Sequence, residues 1–238
     1  MSHDEGESED ASTVVVTGGT GGIGAAVARE FAEAGDRVVV GSRDAAAVGE
    51  LVADLSETTA ATGVRTDVRD EFDLERLMET ASTFGPRGID VVVAAAGVYH
   101  GDPGETPTDE ETYASFDDHL RTNARGVFAT IREALPHLAS DGRVLVPTGS
   151  VARDPLPGFG AYAISKAAAE AVVRTFAVDV KQTVGCVDPG RVATDLAGGE
   201  GRDPGDVAPL FRWAATEAPA DDLDGSVLEL EDWRTRTA

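Results

Sequence analysis

The chain is poor in the features that disulfide-bonded, secreted and membrane proteins require. It has one cysteine among 238 residues, so no internal disulfide can form and a reducing compartment is expected. No window approaches the roughly 18 consecutive apolar residues of a membrane-spanning helix. The N-terminal segment MSHDEGESEDAS lacks the basic and apolar regions of a signal peptide. These absences predict a cytoplasmic protein with no membrane attachment.

Basic residues are also scarce. Lys and Arg together number 20 against 43 Asp and Glu, which gives a formal net charge of −23, and Lys166 and Lys181 are the only lysines. This charge argues against nucleic acid as a partner, because phosphate binding needs clustered Lys and Arg. Concentrated salt screens self-repulsion, so an acidic, lysine-poor chain is typical of a halophile's protein. An acidic protein from a mesophile is the alternative.

Short apolar runs alternate with helical patterns through most of the chain. Several runs are continuously apolar, as expected for strands buried on both faces of a parallel sheet. The alternation indicates βαβ units, so we predict an α/β fold with one doubly wound, Rossmann-like parallel sheet and helices on both faces. About seven strands are predicted, at residues 13–17, 37–40, 63–66, 89–95, 143–147, 183–187 and 226–230.

Residues 1–12 are predicted to be an acidic, disordered tail. Hydrophobic residues make up 42% of the chain, enough for a core, and no repeat or low-complexity linker divides the remainder. Residues 13–238 are therefore predicted to be one domain.

A glycine-rich segment, TGGTGGIG at residues 17–24, joins the first predicted strand to the first helix. Gly18 permits a tight turn, while Gly22 and Gly24 let a pyrophosphate approach the positive helix N-terminus. The position between strand and helix favours a dinucleotide site, and a glycine-rich loop without a ligand is the alternative. Thr20 and Ile23 of the same loop are included among the predicted cofactor-binding residues.

The residues after the second strand bear on the choice of cofactor. An acidic residue there would bind the ribose 2′-hydroxyl of NAD, but the sequence has Ser42 and Arg43. Arg43 is suited to pair with a 2′-phosphate, with Ser42 donating its hydroxyl, so NADP is favoured over NAD. Neutralisation of Arg43 by Asp44 is the alternative. Asp67, before Val68, either accepts from the adenine amino group or is a simple turn residue.

The segment YAISK places Tyr162 and Lys166 at i and i+4, on one face of a helix. An ammonium beside a phenol lowers its pKa from about 10, which suits the phenol to general acid or base catalysis of carbonyl and alcohol interconversion. Ser150, at the end of the fifth strand, is placed to hydrogen-bond the same substrate oxygen.

The sequence resembles the short-chain dehydrogenase/reductases of the Tyr-xxx-Lys type across nearly all of residues 13–232. The motifs occur in the family's order and close to its spacing, and they are Thr17-Gly18-xxx-Gly22-Ile23-Gly24, Asp67-Val68, Asn123, Ser150, Tyr162-xxx-Lys166 and Asp188-Pro189-Gly190.

The resemblance implies a role for each catalytic residue. Tyr162 would be the acid/base and Ser150 would orient the substrate carbonyl. Lys166 would bind the nicotinamide ribose and tune Tyr162, while Asn123 would hold a water in a proton relay. Further cofactor contacts are implied at residues after the fourth and sixth strands, namely Ala96, Gly97, Pro189, Gly190, Val192 and Thr194. Ala-Ala-Ala at 94–96 departs from the usual Asn-Asn-Ala, which removes side chains that support the sheet and the cofactor edge.

We therefore expect an NAD(P)-dependent oxidoreductase acting on a small carbonyl or alcohol substrate, with a non-catalytic nucleotide-binding protein as the alternative. The resemblance also implies a homo-oligomer, either a dimer or a tetramer. The four histidines lack metal-ligand spacing, so no metal is expected. Tyr99, His100 and Phe159 are candidates for the substrate wall, with loop or packing roles as alternatives.

Overall fold

The computed structural model describes residues 11–154 and 156–237. Its strands are β1 (Thr13–Thr17), β2 (Arg37–Ser42), β3 (Ala61–Arg65), β4 (Ile89–Ala94), β5 (Leu138–Pro147), β6 (Thr183–Asp188) and β7 (Val227–Glu229). They form one sheet in the order β3-β2-β1-β4-β5-β6-β7, and all neighbouring strands are parallel. The predicted doubly wound α/β fold with seven strands is confirmed.

Helices cover both faces of the sheet. They are α1 (Gly22–Glu33), α2 (Ala45–Leu55), α3 (Glu71–Phe84), α4 (Tyr113–His119), α5 (Gly126–Ala134), α6 (Gly160–Asp179), α7 (Pro204–Thr216), α8 (Ala220–Leu223) and α9 (Leu230–Thr237). A π-helical turn, Leu120–Arg125, joins α4 to α5. Within the described ranges, no helix combines the length and the apolar character needed to cross a membrane.

The predicted tail falls outside the described residues except for its last two. Ser12 is already bound to neighbouring elements: its N–H donates to Asp36 Oδ1 at 3.0 Å, and its carbonyl accepts from the Arg37 N–H at 2.8 Å. The Ala11 carbonyl also accepts from Arg37 Nη1 at 2.8 Å, so both described residues of the predicted tail are hydrogen-bonded to the domain.

Strand β1 is continuously apolar because both of its faces are covered. Val14, Val15 and Val16 are all 0% exposed. Val14 and Val16 belong to the core that contains Phe31 of α1, whereas Val15 belongs to the core that contains Ile131 of α5. Successive strand residues point to opposite faces, so an unbroken valine run supplies both cores.

The strand order sets the position of the cavity. The chain runs outward from β1 to β3 on one side and from β4 to β7 on the other. Ligands of open α/β sheets bind outside the carboxyl ends of the strands at this reversal. The segments that follow β1, β4, β5, β6 and β7 meet there and carry most of the predicted site residues.

Candidate active site

One cavity of about 1680 Å³ lies at the carboxyl edge of the sheet and brings almost all predicted site residues together. The predicted residues that line it are Gly18, Gly22, Ile23, Gly24, Ser42, Arg43, Asp67, Val68, Ala96, Gly97, Asn123, Ser150, Tyr162, Lys166, Pro189, Gly190, Val192 and Thr194. Thr20 is not part of this lining. Its hydroxyl lies 2.7 Å from that of Ser42, so it supports a lining residue.

The glycine loop is a cradle that side chains would fill. Gly18 has a φ of +66°, and a Cβ there would lie 2.6 Å from the Cα of Ala96. Gly22 has a φ of +49°, and its Cβ would lie 2.9 Å from Thr194 Cγ2. A Cβ on Gly24 would collide with the carbonyl oxygen of Gly18. The loop has this close backbone packing only because it is built from glycine.

The N-terminus of α1 opens into this cradle. Gly21 is its N-cap and provides no side-chain hydrogen bond, and the first turn contains no acidic residue. The first-turn N–H groups have no intrahelical partners, and they carry the positive end of the helix dipole. Gly21 to Gly24 line the cavity. These features fit the pyrophosphate of a dinucleotide.

At the far end of the cavity, Arg43 is exposed and available to a ligand. The carboxylate of Asp44 is directed to the start of α2, where its Oδ1 accepts from the N–H groups of Ala46 and Ala47. In residues 11–154 and 156–237, Arg43 forms no ion pair. This geometry disfavours the alternative in which Asp44 occupies Arg43.

Asp67 is held by an arginine that the sequence patterns did not single out. Arg69 Nε donates to Asp67 Oδ1 at 2.9 Å, and Nη2 donates to Oδ2 at 2.7 Å. These bonds lower the pKa of Asp67, and the carboxylate stays ionised. Arg69 also bonds Asp118 at 3.0 Å, and Asp118 bonds His100 at 2.8 Å. His100 is therefore tied to this ionic chain, and it does not line the cavity.

Tyr162 and Lys166 lie on α6 and face the cavity together with Ser150, which begins the 3-10 turn after β5. Burial raises the pKa of Tyr162 to about 12, and Tyr99 and Asp188 add to the effect. The prediction that Lys166 lowers this pKa is wrong for the protein without cofactor. The Lys166 ammonium instead donates to the Pro147 carbonyl at 2.5 Å, and the pKa of Tyr162 rises because its phenolate would be desolvated.

Burial and nearby charges also have opposing effects on the pKa of Lys166. Burial lowers the pKa of its ammonium, while Glu170 and Asp188 act in the opposite direction. Its bond to Pro147 fixes the side chain of α6 to the end of β5.

Asn123 lies in the π-helical turn between α4 and α5 and is 2% exposed. Its Oδ1 accepts from the Val98 N–H at 2.8 Å, and its Nδ2 donates to the Val98 carbonyl and to Ser165 Oγ, both at 2.9 Å. The side chain thus joins the segment after β4 to α6. Its role in a water relay stays a prediction.

The buried ionic cluster around Arg153 was missed in the sequence. Arg153 Nη1 donates to Glu170 Oε1 at 2.5 Å, and Nη2 donates to Asp188 Oδ2 at 2.6 Å. Glu170 and Asp188 are 3% and 6% exposed. Asp188 Oδ1 also accepts from the Gly190 N–H at 2.9 Å. Arg153 therefore connects the segment of Ser150, helix α6 and the turn after β6, and its cluster combines residues that no sequence spacing relates.

Other reactive side chains take no part in the site chemistry. Cys186 is buried, and burial raises the pKa of its thiol to about 12, so it is not a thiolate at neutral pH. Within the part of the chain that the structure describes, no three His, Cys, Asp or Glu residues are grouped as a metal site. Tyr99 and Phe159 do line the cavity beside Tyr162.

Comparison with known proteins identifies the family of the chain. Residues 12–204 match the family model described as short chain dehydrogenase. Short chain dehydrogenase/reductase AacuN of Aspergillus aculeatus is 39% identical over 190 residues, which cover 76% of this chain and 69% of that protein.

Two solved structures extend the comparison. A dehydrogenase/reductase from Sinorhizobium meliloti 1021 is 31% identical, with a TM-score of 0.80 and 92% of each chain covered. An alcohol dehydrogenase from the archaeon Thermococcus sibiricus, complexed with 5-hydroxy-NADP, is 26% identical, with a TM-score of 0.81 and 93% and 96% of the two chains covered. The chain belongs to the short chain dehydrogenase family and is an NAD(P)-dependent oxidoreductase. A non-catalytic role is not favoured.

Proposed function

We propose that this enzyme interconverts a ketone or aldehyde and the corresponding alcohol with NADP, and that Tyr162 is the general acid and base. One observation carries the proposal. The hydroxyl-bearing residues Ser150 and Tyr162, from two different elements, line the same cavity as the glycine cradle at the N-terminus of α1.

The raised pKa of Tyr162 keeps its phenol protonated at neutral pH, so it is able to donate a proton to a carbonyl oxygen. Ser150 donates a second hydrogen bond to that oxygen. Lys166, half-buried and fixed to Pro147, provides positive charge on the same helix face. When bound, the reduced cofactor supplies the hydride that the carbonyl carbon accepts. In the reverse direction, the Tyr162 phenolate takes the proton from the alcohol, and the positive charge of a bound oxidised cofactor would favour that phenolate.

Substitution of Tyr162 tests the assignment. Tyr162→Phe removes the acidic hydroxyl and keeps the ring, so kcat should fall about 100-fold or more. NADPH affinity, measured by fluorescence titration, should change less than about twofold because the cradle is untouched. Tyr113→Phe is the matched control, since Tyr113 is 90% exposed on α4. A Tyr162→Phe enzyme with the wild-type rate would refute the role.

Preference for NADP is proposed from Arg43. Arg43 is exposed and lines the cavity, and Asp44 caps α2. The Arg43 guanidinium is therefore available to a 2′-phosphate. Arg43→Ala should weaken NADPH binding by about tenfold to 100-fold and leave NADH binding unchanged. Arg132→Ala, at an exposed position of α5, is the control. Equal losses for the two cofactors would remove Arg43 from this role.

A homo-oligomer, either a dimer or a tetramer, is part of the proposal. Phe128 of α5 and Ile164 of α6 are 43% and 41% exposed, which suits an interface between copies. Light scattering should give a mass of at least two chains, and Phe128→Glu should reduce it. Phe72→Glu, at an exposed position of α3, should not. A wild-type monomer at all concentrations would contradict the proposal.

A further inference from the structure

Apolar side chains are exposed inside the cavity beside Tyr162. Leu156 and Leu196 are 47% and 38% exposed, and both line the cavity. Tyr99, Pro103 and Phe159 line it as well. We call these five residues the apolar wall. Exposed apolar surface inside a binding cavity is stabilised when an apolar ligand group covers it.

Tyr99 gives this wall a fixed aromatic surface. Its ring centroid lies 4.8 Å from that of Tyr162 and 6.3 Å from that of Phe159, with the Phe159 ring nearly parallel at 19°. Its hydroxyl lies 2.7 Å from Thr106 Oγ1 and 3.2 Å from the Gly158 carbonyl oxygen. Hydrogen bonds at the far end of the ring hold it in place, so the wall is ordered before substrate binds.

The wall continues onto the segment that follows Thr194. Leu196 lies in the 3-10 turn Asp195–Ala197, and Gly198 follows that turn. A Cβ on Gly198 would lie 3.7 Å from Pro103 Cδ. The segment after Thr194 therefore meets the loop after β4, and Leu196 and Pro103 from these two segments line the same cavity.

Charged groups at this end are only partly paired with protein partners. Arg153 is bound by Glu170 and Asp188, and Arg191 Nη2 lies 2.8 Å from Glu200. Asp154, Asp195, Arg202 and Arg234 also line the cavity, and none of them forms an ion pair among the described residues. Among these, Arg202 places its Nη1 beside Gly190. An anionic substrate held by Arg202 is thus the competing possibility.

We infer that the substrate's reacting carbonyl is attached to an aromatic ring, and that this ring packs on the apolar wall while the carbonyl oxygen meets Tyr162. The inference rests on the proposed function. Aromatic rings pack favourably with centroids about 4.5–7 Å apart, which the Tyr99 and Phe159 surfaces permit. A sugar-like ketone seated on this wall would place hydroxyls against Leu156, Phe159 and Leu196, whose side chains offer no hydrogen-bond partners.

Three small ketones separate these possibilities: acetophenone with an aryl group, dihydroxyacetone with hydroxyls and pyruvate with a carboxylate. With NADPH, kcat/KM for acetophenone should exceed that for each of the others by about tenfold or more. Equal or higher values for dihydroxyacetone or pyruvate would overturn the aromatic assignment alone. Turnover of none of them, with NADPH binding intact, would instead refute the proposed function.

Variants of the wall supply a second measurement. Leu156→Gln and Leu196→Gln should each raise KM for acetophenone about fivefold, with kcat and the NADPH dissociation constant nearly unchanged. Both positions are exposed, so the variants should fold. Phe72→Gln is the matched control because Phe72 is 71% exposed on α3, outside the cavity. Unchanged KM in both wall variants would overturn the inference.

Discussion

Replacement of Arg153 by methionine should destabilise the protein, because it leaves two buried carboxylates without their shared cation. Glu170 and Asp188 are 3% and 6% exposed, and each is bonded to a different nitrogen of the Arg153 guanidinium. Methionine retains an unbranched apolar side chain but has no charge and no donor. The substitution therefore isolates the ionic contribution.

The structure sets the magnitude of this effect. Removing one partner of a buried ion pair costs about 3–5 kcal/mol. The Arg153 side chain is 30% exposed, and Arg174 Nη1 remains 3.8 Å from Glu170 Oε2. Asp188 also keeps the Gly190 N–H. Because these interactions remain, we expect the free energy of unfolding to fall by about 3 kcal/mol, the lower end of that range. For a chain of this size, this corresponds to a fall in Tm of about 6–12 °C.

Thermal unfolding followed by circular dichroism at neutral pH measures the change. Arg153→Lys is the control, and it should lie between wild type and Arg153→Met because an ammonium restores charge without the planar fork. The double variant Arg153→Met, Glu170→Gln should lose less stability than the sum of the losses in the two single variants. In the double variant, Glu170→Gln removes a negative charge that Arg153→Met has already left unpaired. A fall in Tm below about 2 °C for Arg153→Met would refute the reasoning.

Three further predictions concern backbone, pH and salt. Gly18→Ala should prevent tight NADPH binding in a fluorescence titration, because the φ of Gly18 is +66° and a Cβ there would contact Ala96. Gly49→Ala in α2, where an added Cβ has no neighbour within 4 Å, is the control. Normal NADPH binding by Gly18→Ala would contradict the role of the glycine cradle. Tyr162 has a pKa of about 12 in the folded protein, against an ordinary 10.0. Its contribution to the free energy of unfolding is therefore fully present below pH 10 and is lost as the pH rises through 12. The free energy of urea unfolding should therefore fall more steeply there for wild type than for Tyr162→Phe, by about 1.4 kcal/mol per pH unit, and parallel curves would contradict the shift. Stability should rise as KCl increases from about 0.1 M to about 2 M, because salt screens the net charge of −23; equal unfolding curves would argue against the halophile prediction.

The order of strands and helices was readable from the sequence because it depends on local pattern. Apolar runs such as residues 13–17 are long enough for a strand buried on both faces, and glycines mark where the chain turns. Tyr162 and Lys166 are four residues apart on one helix, so their shared face also follows from spacing. The glycine loop was predictable for the same reason, since its strand and helix adjoin it in the chain.

Other properties of the site depend on groups that only folding brings together. Arg153, Glu170 and Asp188 come from three elements, and no periodicity links them. The pKa of Tyr162 rises because the side chain is buried, and the extent of burial is a property of the packed molecule. By itself the sequence determined the fold and the family and predicted the catalytic side chains, because these follow from short-range pattern. The tertiary structure alone decided the charge balance around Tyr162 and the apolar wall beside it, because desolvation and long-range contact exist only in the packed chain.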